Sequence, residues 1–282
     1  LPGRHHHGVC GRAVFLLDHP FKEKRMLELK NLTIYRGSLC TADAVNASFE
    51  EGKVYSVLGP NGAGKTTLIS AIFGEMGYEG EIKFGDERLN FKNHFSWKKK
   101  IGYMPQDSYV DASLTALEVV LLGLMDSLGL YLKDEQINSA VEIMKKLGIL
   151  HLAGRDVMQL SGGQRQMVMF ASVLIKKPKI LLLDEPVSAL DMHHQCVLLD
   201  CVRKFTREHD ITTVMILHDL SLASQFSDEV LLLSDGKIKA KGEAKKTITK
   251  ELIQELYKVN VDIFYDDAGV PAVVAKSAFG VE

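Results

Sequence analysis

The sequence predicts an α/β fold: a mostly parallel sheet covered by helices on both faces. Three observations predict it. Short apolar runs that suit buried strands, at residues 54–58, 180–184 and 211–217, alternate with stretches of helical periodicity. The first of these runs ends in Gly59-Pro60-Asn61-Gly62-Ala63-Gly64-Lys65-Thr66-Thr67 and opens into the helical LISAIF. A block from about residue 107 to 174 has no strand pattern and is inserted between two strands of the sheet.

Taken in order, residues 27–35 alternate apolar and polar (Leu27, Leu29, Leu32, Ile34), and 44–50 follow as a second strand. The strand 54–58, the glycine loop and its helix come next, then strands at 81–84 and 100–104, the latter stopped by Pro105. In the helical block, 115–124 is one helix. A second, 134–147, carries Ile137, Val141, Met144 and Leu147 on one face. Its acidic first turn, Lys145 and Lys146 in its last turn and the following Gly148 agree with its direction. Ser161-Gly162-Gly163-Gln164 fits the S-x-x-Q helix start and leads the third helix. The strand–helix alternation then returns: strand 180–184, helix 192–207, strand 211–217, helix 219–226. A hairpin turns at Ser234-Asp235-Gly236-Lys237, a helix covers 248–257, and two short strands flank 266–269.

Bulk properties narrow the function. The 282 residues suffice for one large or two modest domains, and 46% apolar with 25% charged residues is ordinary for a globular protein. A formal net charge of −2 gives no general basic surface for nucleic acid. No apolar run reaches bilayer-spanning length, so a membrane role is peripheral or through a partner. Four cysteines make no C-x-x-C pair, which suits a reducing cytoplasmic setting. His193, His194 and Cys196 lie close together without a second ligand cluster and are read as helix surface rather than a metal site. Residues 1–25, with their His triplet, lack periodicity and are expected to be tag, leader or disordered arm.

The chemistry is carried by a few residues. Gly59 to Thr66 fits G-x-x-x-x-G-K-[ST] in the strand–loop–helix setting that gives the motif its meaning. Its glycines let backbone N–H groups wrap a polyphosphate, Lys65 charges the outer phosphates and Thr66 can ligate Mg²⁺. The strand Ile180–Asp184 delivers two acids, Asp184 and Glu185, to a sheet edge where α/β folds bind ligands. Asp184 can support the metal and Glu185 can polarise an attacking water. His218 ends the strand TTVMILH and can reach the same edge, while Gln106 follows IGYMP and offers a neutral amide. Tyr35, thirty residues before Lys65, could stack on a base. Ser161 to Gln164 is a second anion-binding helix start in one chain.

The P-loop, Gln106, LSGGQ, LLLDEP, Ser188-Ala189-Leu190-Asp191 and His218, in that order, resemble the ATP-binding-cassette ATPases from about residue 27 to 242. The resemblance implies a P-loop NTPase with an N-terminal antiparallel β subdomain and an inserted helical subdomain. Its expected boundaries are 26–106 with 175–245 for the ATP-binding core, 107–174 for the helical part and 246–282 for a C-terminal helix and strands. It implies ATP and Mg²⁺ as ligands, with Tyr35 on adenine and Gly59, Pro60, Asn61, Gly62, Ala63, Gly64, Lys65, Thr66 and Thr67 on the phosphates. Thr66, Gln106 and Asp184 are then the metal contacts, and Glu185, His218 and Gln106 act at the γ-phosphate. Ser161, Gly162, Gly163, Gln164 and Asp191 are expected to meet ATP held by a second subunit. Val187 stands where the family often has threonine, a change expected to be harmless.

A single cassette without a membrane span looks like the ATPase subunit of a transporter: a homodimer at the cytoplasmic face of the membrane, joined to integral permease subunits and indirectly to a substrate-binding protein. The spellings YMPQD, LSGGQRQ, LDEPVSALD and ILHDLSLA look most like importers of iron–siderophore, haem, cobalamin and related metal complexes. The alternatives are an exporter or other transporter ATPase, and a non-transport cassette acting on nucleic acid or ribosomes. The second alternative lacks the second cassette, long coiled coil or zinc module that such proteins usually carry, and no N-K-x-D guanine motif is present.

Overall fold

The computed structural model describes residues 25–106, 112–125 and 133–279. The expected N-terminal arm, its His triplet and Cys10 lie outside the described residues, apart from Arg25. Twelve strands and nine α-helices are seen in these segments. Strands β1 (Met26–Arg36), β2 (Leu39–Glu50), β4 (Glu79–Phe84) and β5 (Glu87–Arg88) form an antiparallel sheet in the order β2-β1-β4-β5.

The second sheet holds six strands, β10-β9-β3-β8-β7-β6. They are β3 (Val54–Leu58), β6 (Ile101–Met104), β7 (Ile180–Asp184), β8 (Thr212–Ile216), β9 (Glu229–Ser234) and β10 (Lys237–Gly242). All neighbours are parallel except the β9–β10 hairpin. Every residue of β3, β7 and β8 is buried, as expected for parallel strands covered on both faces. Alternation along one strand feeds two cores: Leu181 and Leu183 point to the face that packs the helical block, Ile180 and Leu182 to the face under the antiparallel sheet.

Helix α1 (Lys65–Phe73) follows the P-loop, and α2 (His94–Lys98) anchors through Trp97, whose indole N–H donates to Ile72 O at 2.8 Å. The inserted block comprises α3 (Ala116–Leu122), α4 (Asp134–Lys146), two 3₁₀ turns and α5 (Gly162–Leu174). It connects β6 to its parallel neighbour β7, so a long helical crossover is required. The sequence periodicity placed Ile137 and Val141 on the buried face of α4. Instead Ala140, Ile143, Met144 and Leu147 are buried, and Ile137 and Val141 are half-exposed. The i, i+3, i+4, i+7 stripe is intact but rotated, because α4 packs against both α3 and α5.

After β7 come α6 (Met192–Glu208), α7 (Leu220–Phe226), α8 (Ala244–Thr247) and α9 (Lys250–Tyr257), then the hairpin β11 (Val259–Tyr265) and β12 (Pro271–Ala278). The short β5, α2, α8 and the 3₁₀ turns carry too few residues for a periodic signal and were not expected from sequence.

Candidate active site

The C-terminal ends of β3, β7 and β8 meet at one edge of the parallel sheet, and the loops leaving them build an open cleft of about 620 Å³. The P-loop bends at two glycines. Gly59 has φ 148°, and a Cβ there would lie 2.0 Å from Leu233 O. Gly64 has φ 97°, and its Cβ would lie 2.1 Å from Thr41 O of β2. Both positions exclude a side chain by strain and by contact. Gly64 also marks where the antiparallel sheet seats on the loop.

Lys65 begins α1, is buried, and folds back over the loop. Its Nζ donates to Gly59 O at 2.8 Å and to Pro60 O at 2.9 Å. Burial pulls its pKa below the usual lysine range, opposed by the Glu185 and Asp184 carboxylates. Asp184 ends β7 and is almost wholly buried. Burial raises its pKa, the hydrogen bond from the Thr66 hydroxyl opposes that rise, and the neighbouring Glu185 charge adds to it. Asp184 Oδ1 has no hydrogen-bond partner.

Glu185, one residue on, has φ 49°, a left-handed conformation that is costly for a non-glycine residue, and its side chain lines the cleft. Gln106 Nε2 donates to Glu185 Oε2 at 2.8 Å, and His218 Nε2 meets Glu185 Oε1. Gln106, Glu185 and His218 come from loops after β6, β7 and β8, so three strands converge on one carboxylate. Gln106, Asn61, Gly62, Gly64, Lys65, Thr66 and Thr67 line the same cleft as Glu185 and His218. Arg36, Leu39 and Thr41 line it too. No motif in the sequence singled them out, because they come from the hairpin of the antiparallel sheet. Tyr35 is half-exposed on β1, next to Arg36, and is not itself a lining residue.

The helix start at Ser161, expected from the sequence to bind an anion, lies elsewhere. Ser161 caps α5 in a capping box: its hydroxyl accepts from Gln164 N at 3.3 Å, and Gln164 Oε1 accepts from Ser161 N at 3.3 Å. Ser161 and Gly162 are exposed and Gly163 is buried; none of residues 161–164 lines the P-loop cleft. The start of α5 instead packs beside the loop after β7. Gln166 Nε2 donates to Pro186 O at 2.8 Å, and Asp191 caps α6 by accepting from His194 N at 2.9 Å.

A sequence profile of the ABC transporter family matches residues 42–188. The hemin import ATP-binding protein of Plesiomonas shigelloides is 34% identical over 255 residues, 84% of this chain and 96% of that protein. The chain belongs to the ABC transporter family. The ferric enterobactin transport ATP-binding protein of Escherichia coli K12 is 32% identical, covering 87% of this chain and 92% of its own length. Among solved structures, a metal-chelate type ABC transporter in an inward-facing conformation aligns with a TM-score of 0.77 at 26% identity, over 89% of this chain and 97% of that one. A dimeric cassette in a post-hydrolysis state with ADP and Pi aligns with a TM-score of 0.68 at 30% identity, over 77% and 98% of the two chains. The protein is thus an ABC ATPase, an ATP-hydrolysing nucleotide-binding subunit of a membrane transporter. No described helix is long and apolar enough to cross a membrane.

Proposed function

We propose that this ATPase drives import of a metal complex, in the class of haem, iron–siderophore or cobalamin, as a homodimer docked on permease subunits at the cytoplasmic face of the membrane. The names of the hemin and ferric enterobactin relatives and the metal-chelate type neighbour support the cargo class. The observation that carries the chemistry is the convergence of Lys65, Thr66, Asp184, Glu185, Gln106 and His218 on one sheet edge.

The division of labour follows the chain. Residues 26–106 with 175–245 bind ATP, 107–174 form the helical part that presents Ser161, and 246–282 close the core. In the ATP-binding part, amides of Gly59 to Gly64 and the Lys65 ammonium hold the phosphates, Thr66 and Thr67 orient them, and Tyr35 stacks on adenine. The buried, unpartnered Oδ1 of Asp184 and the Thr66 hydroxyl on the same carboxylate are hard oxygen donors that fit a small divalent cation, with the Gln106 amide nearby. Bound there, Mg²⁺ would neutralise charge on the β- and γ-phosphates. Glu185 accepts a proton from water in line with the γ-phosphate, and His218 contacts that phosphate. For this, Glu185 exchanges its contacts with Gln106 and His218 for water and substrate. Gln106 leaves the carboxylate toward the ligand shell, which links the nucleotide to the helical part and the permease beyond it.

Ser161 to Gln164 do not line their own P-loop cleft, so each complete site is read as taking Ser161, Gly163 and Asp191 from one subunit and Lys65 from the other. ATP then clamps the dimer, and its hydrolysis releases the clamp, which biases the permease between two states. The inserted helical part, entered through Gln106, is the docking surface read for a permease helix; an open cleft of about 1010 Å³ beside α2, rimmed by the exposed Phe91 and Phe95, is a separate apolar surface on the ATP-binding part. The test is co-purification from membranes followed by assay of ATPase stimulation by metal chelates. Recovery with a permease and stimulation by a haem or siderophore complex is expected. Co-sedimentation with ribosomes, or stimulation only by compounds moving outward, would overturn this reading.

A further inference from the structure

The side chain of His194, read from the sequence as helix surface, is wedged between two elements that the proposed dimer needs. Its Nδ1–H donates to the Asp191 carboxylate, 2.8 Å from Oδ1 and 2.9 Å from Oδ2, while its backbone N–H donates to the same Oδ1 at 2.9 Å. These two bonds are the main reason that the Asp191 carboxyl is held below the usual range. The other side of the ring lies against Gly163. A methyl at Gly163 would sit 2.4 Å from His194 Cδ2 and 2.6 Å from Cγ, contacts that no real Cβ makes. A side chain at Gly163 would therefore have to displace the imidazole from its present position.

We infer that His194 is a positioning residue that fixes the start of α5 and the loop at Asp191 as one rigid face for the ATP of the second subunit. The inference rests on the cross-subunit reading above. Among the described residues, the other side-chain hydrogen bond seen between the start of α5 and the loop that leads to Asp191 is Gln166 to Pro186 O at 2.8 Å, while Gln195 to Val187 O at 3.2 Å ties α6 to that same loop. Neither of these touches Gly163 or Asp191. The imidazole meets both needs at once: a flat ring that fits over a glycine, and a donor at the δ position that fixes the carboxylate. Phenylalanine keeps the ring and loses the donor; asparagine keeps the donor and loses the ring.

The test uses mixed dimers of two differently tagged full-length chains, with Lys65→Ala in one so that a single site remains. In the first arrangement His194→Phe is on the Lys65→Ala chain, so the surviving Lys65 meets the altered face. In the second it is on the other chain, so the surviving Lys65 meets a native face. Hydrolysis is expected to fall about tenfold or more in the first arrangement and to stay within about twofold in the second, the scale of a reacting group displaced by a fraction of an ångström. Binding of a fluorescent ATP analogue to the single chain stays unchanged, and His194→Asn recovers part of the lost kcat; a merely structural residue would move the unfolding temperature and both arrangements alike. Ser161→Arg is run in the same two arrangements as the reference. If Ser161→Arg damages both arrangements equally, the cross-subunit reading fails. If Ser161→Arg is selective and His194→Phe is not, or leaves hydrolysis at the native level, the His194 assignment is overturned. Should His194→Phe fail to fold, His194→Asn carries the test, with a smaller loss confined to the first arrangement expected and an equal loss in both overturning it.

Discussion

Asp184 and Glu185 are adjacent carboxylates in opposite circumstances. Asp184 is buried at the end of β7 with an unpartnered oxygen, and Glu185 swings into the cleft through a left-handed backbone. A buried, unsatisfied polar group costs about 1–3 kcal/mol. A raised carboxyl pKa means that the folded state prefers the protonated form. The cost is therefore absent below the ordinary aspartate range, grows as pH rises through the folded-state pKa, and is fully present above it. Asp184→Asn should raise the unfolding temperature of the nucleotide-free chain at pH 7, with the gain shrinking as pH is lowered, while Mg²⁺-dependent hydrolysis is lost. A lower unfolding temperature at pH 7 would count against the strained-carboxylate account. Glu185→Gln removes the base and keeps the shape. ATP binding should persist, the ATP-bound dimer should last longer, and turnover should fall about 10²–10⁴-fold; native hydrolysis rates in single-turnover assays would remove Glu185 from that role. The acid pair, Lys65 and Thr66 were legible from motif and strand context alone. The grip of Gln106 and His218 on Glu185 was not, since it depends on the three-strand edge and not on any spacing in the chain.

Helix starts explain much of what sequence reading found. Thr115 with Glu118 and Ser161 with Gln164 both close capping boxes, and Asp191 and Asp219 cap their helices. These signals are local, so four or five residues suffice to read them. The face of α4 is not local: periodicity gave the helix, and packing against α3 and α5 chose which stripe is buried. The same limit hid the partner of Gly163, because His194 lies more than a turn of chain and a whole strand away. At α5 the cap and the proposed phosphate contact share one residue and can be separated. Ser161→Asp keeps an N-cap as good as serine, so stability should change by less than about 0.5 kcal/mol. Its negative charge would oppose a γ-phosphate, so ATP-dependent dimerisation should fall sharply while the single chain still binds ATP. Thermal unfolding and size-exclusion chromatography with ATP measure the two effects. Equal loss of both would mean that Ser161 is a cap and nothing more.

On the scale of the molecule, the central sheet shares its two faces between two cores, and the C-terminal segment belongs to one of them. Ile248, Ile253, Leu256 and Val261 are buried in the same core as Leu181, Leu183 and the helical block. The hairpin is also tied to α7, the helix that follows His218: Val273 N donates to Ser221 Oγ at 3.0 Å. Sequence reading separated 246–282 as a helix and strand pair, which local pattern allows, but local pattern has no information on which surface the segment covers. Full burial of an aliphatic side chain contributes about 1.5–3 kcal/mol, so these four contribute about 6–12 kcal/mol as an upper bound. Whole domains of this kind are stable by only about 5–15 kcal/mol. Cutting the chain after Gly242 should therefore remove most of its stability and expose the sheet core, even though every residue proposed to bind nucleotide remains. The expected result is aggregation, or a monomer that binds a hydrophobic dye and unfolds without cooperativity. A truncated chain that unfolds cooperatively at the full-length temperature and still hydrolyses ATP would mean that α9 and its hairpin are an attachment to the cassette and no part of its core.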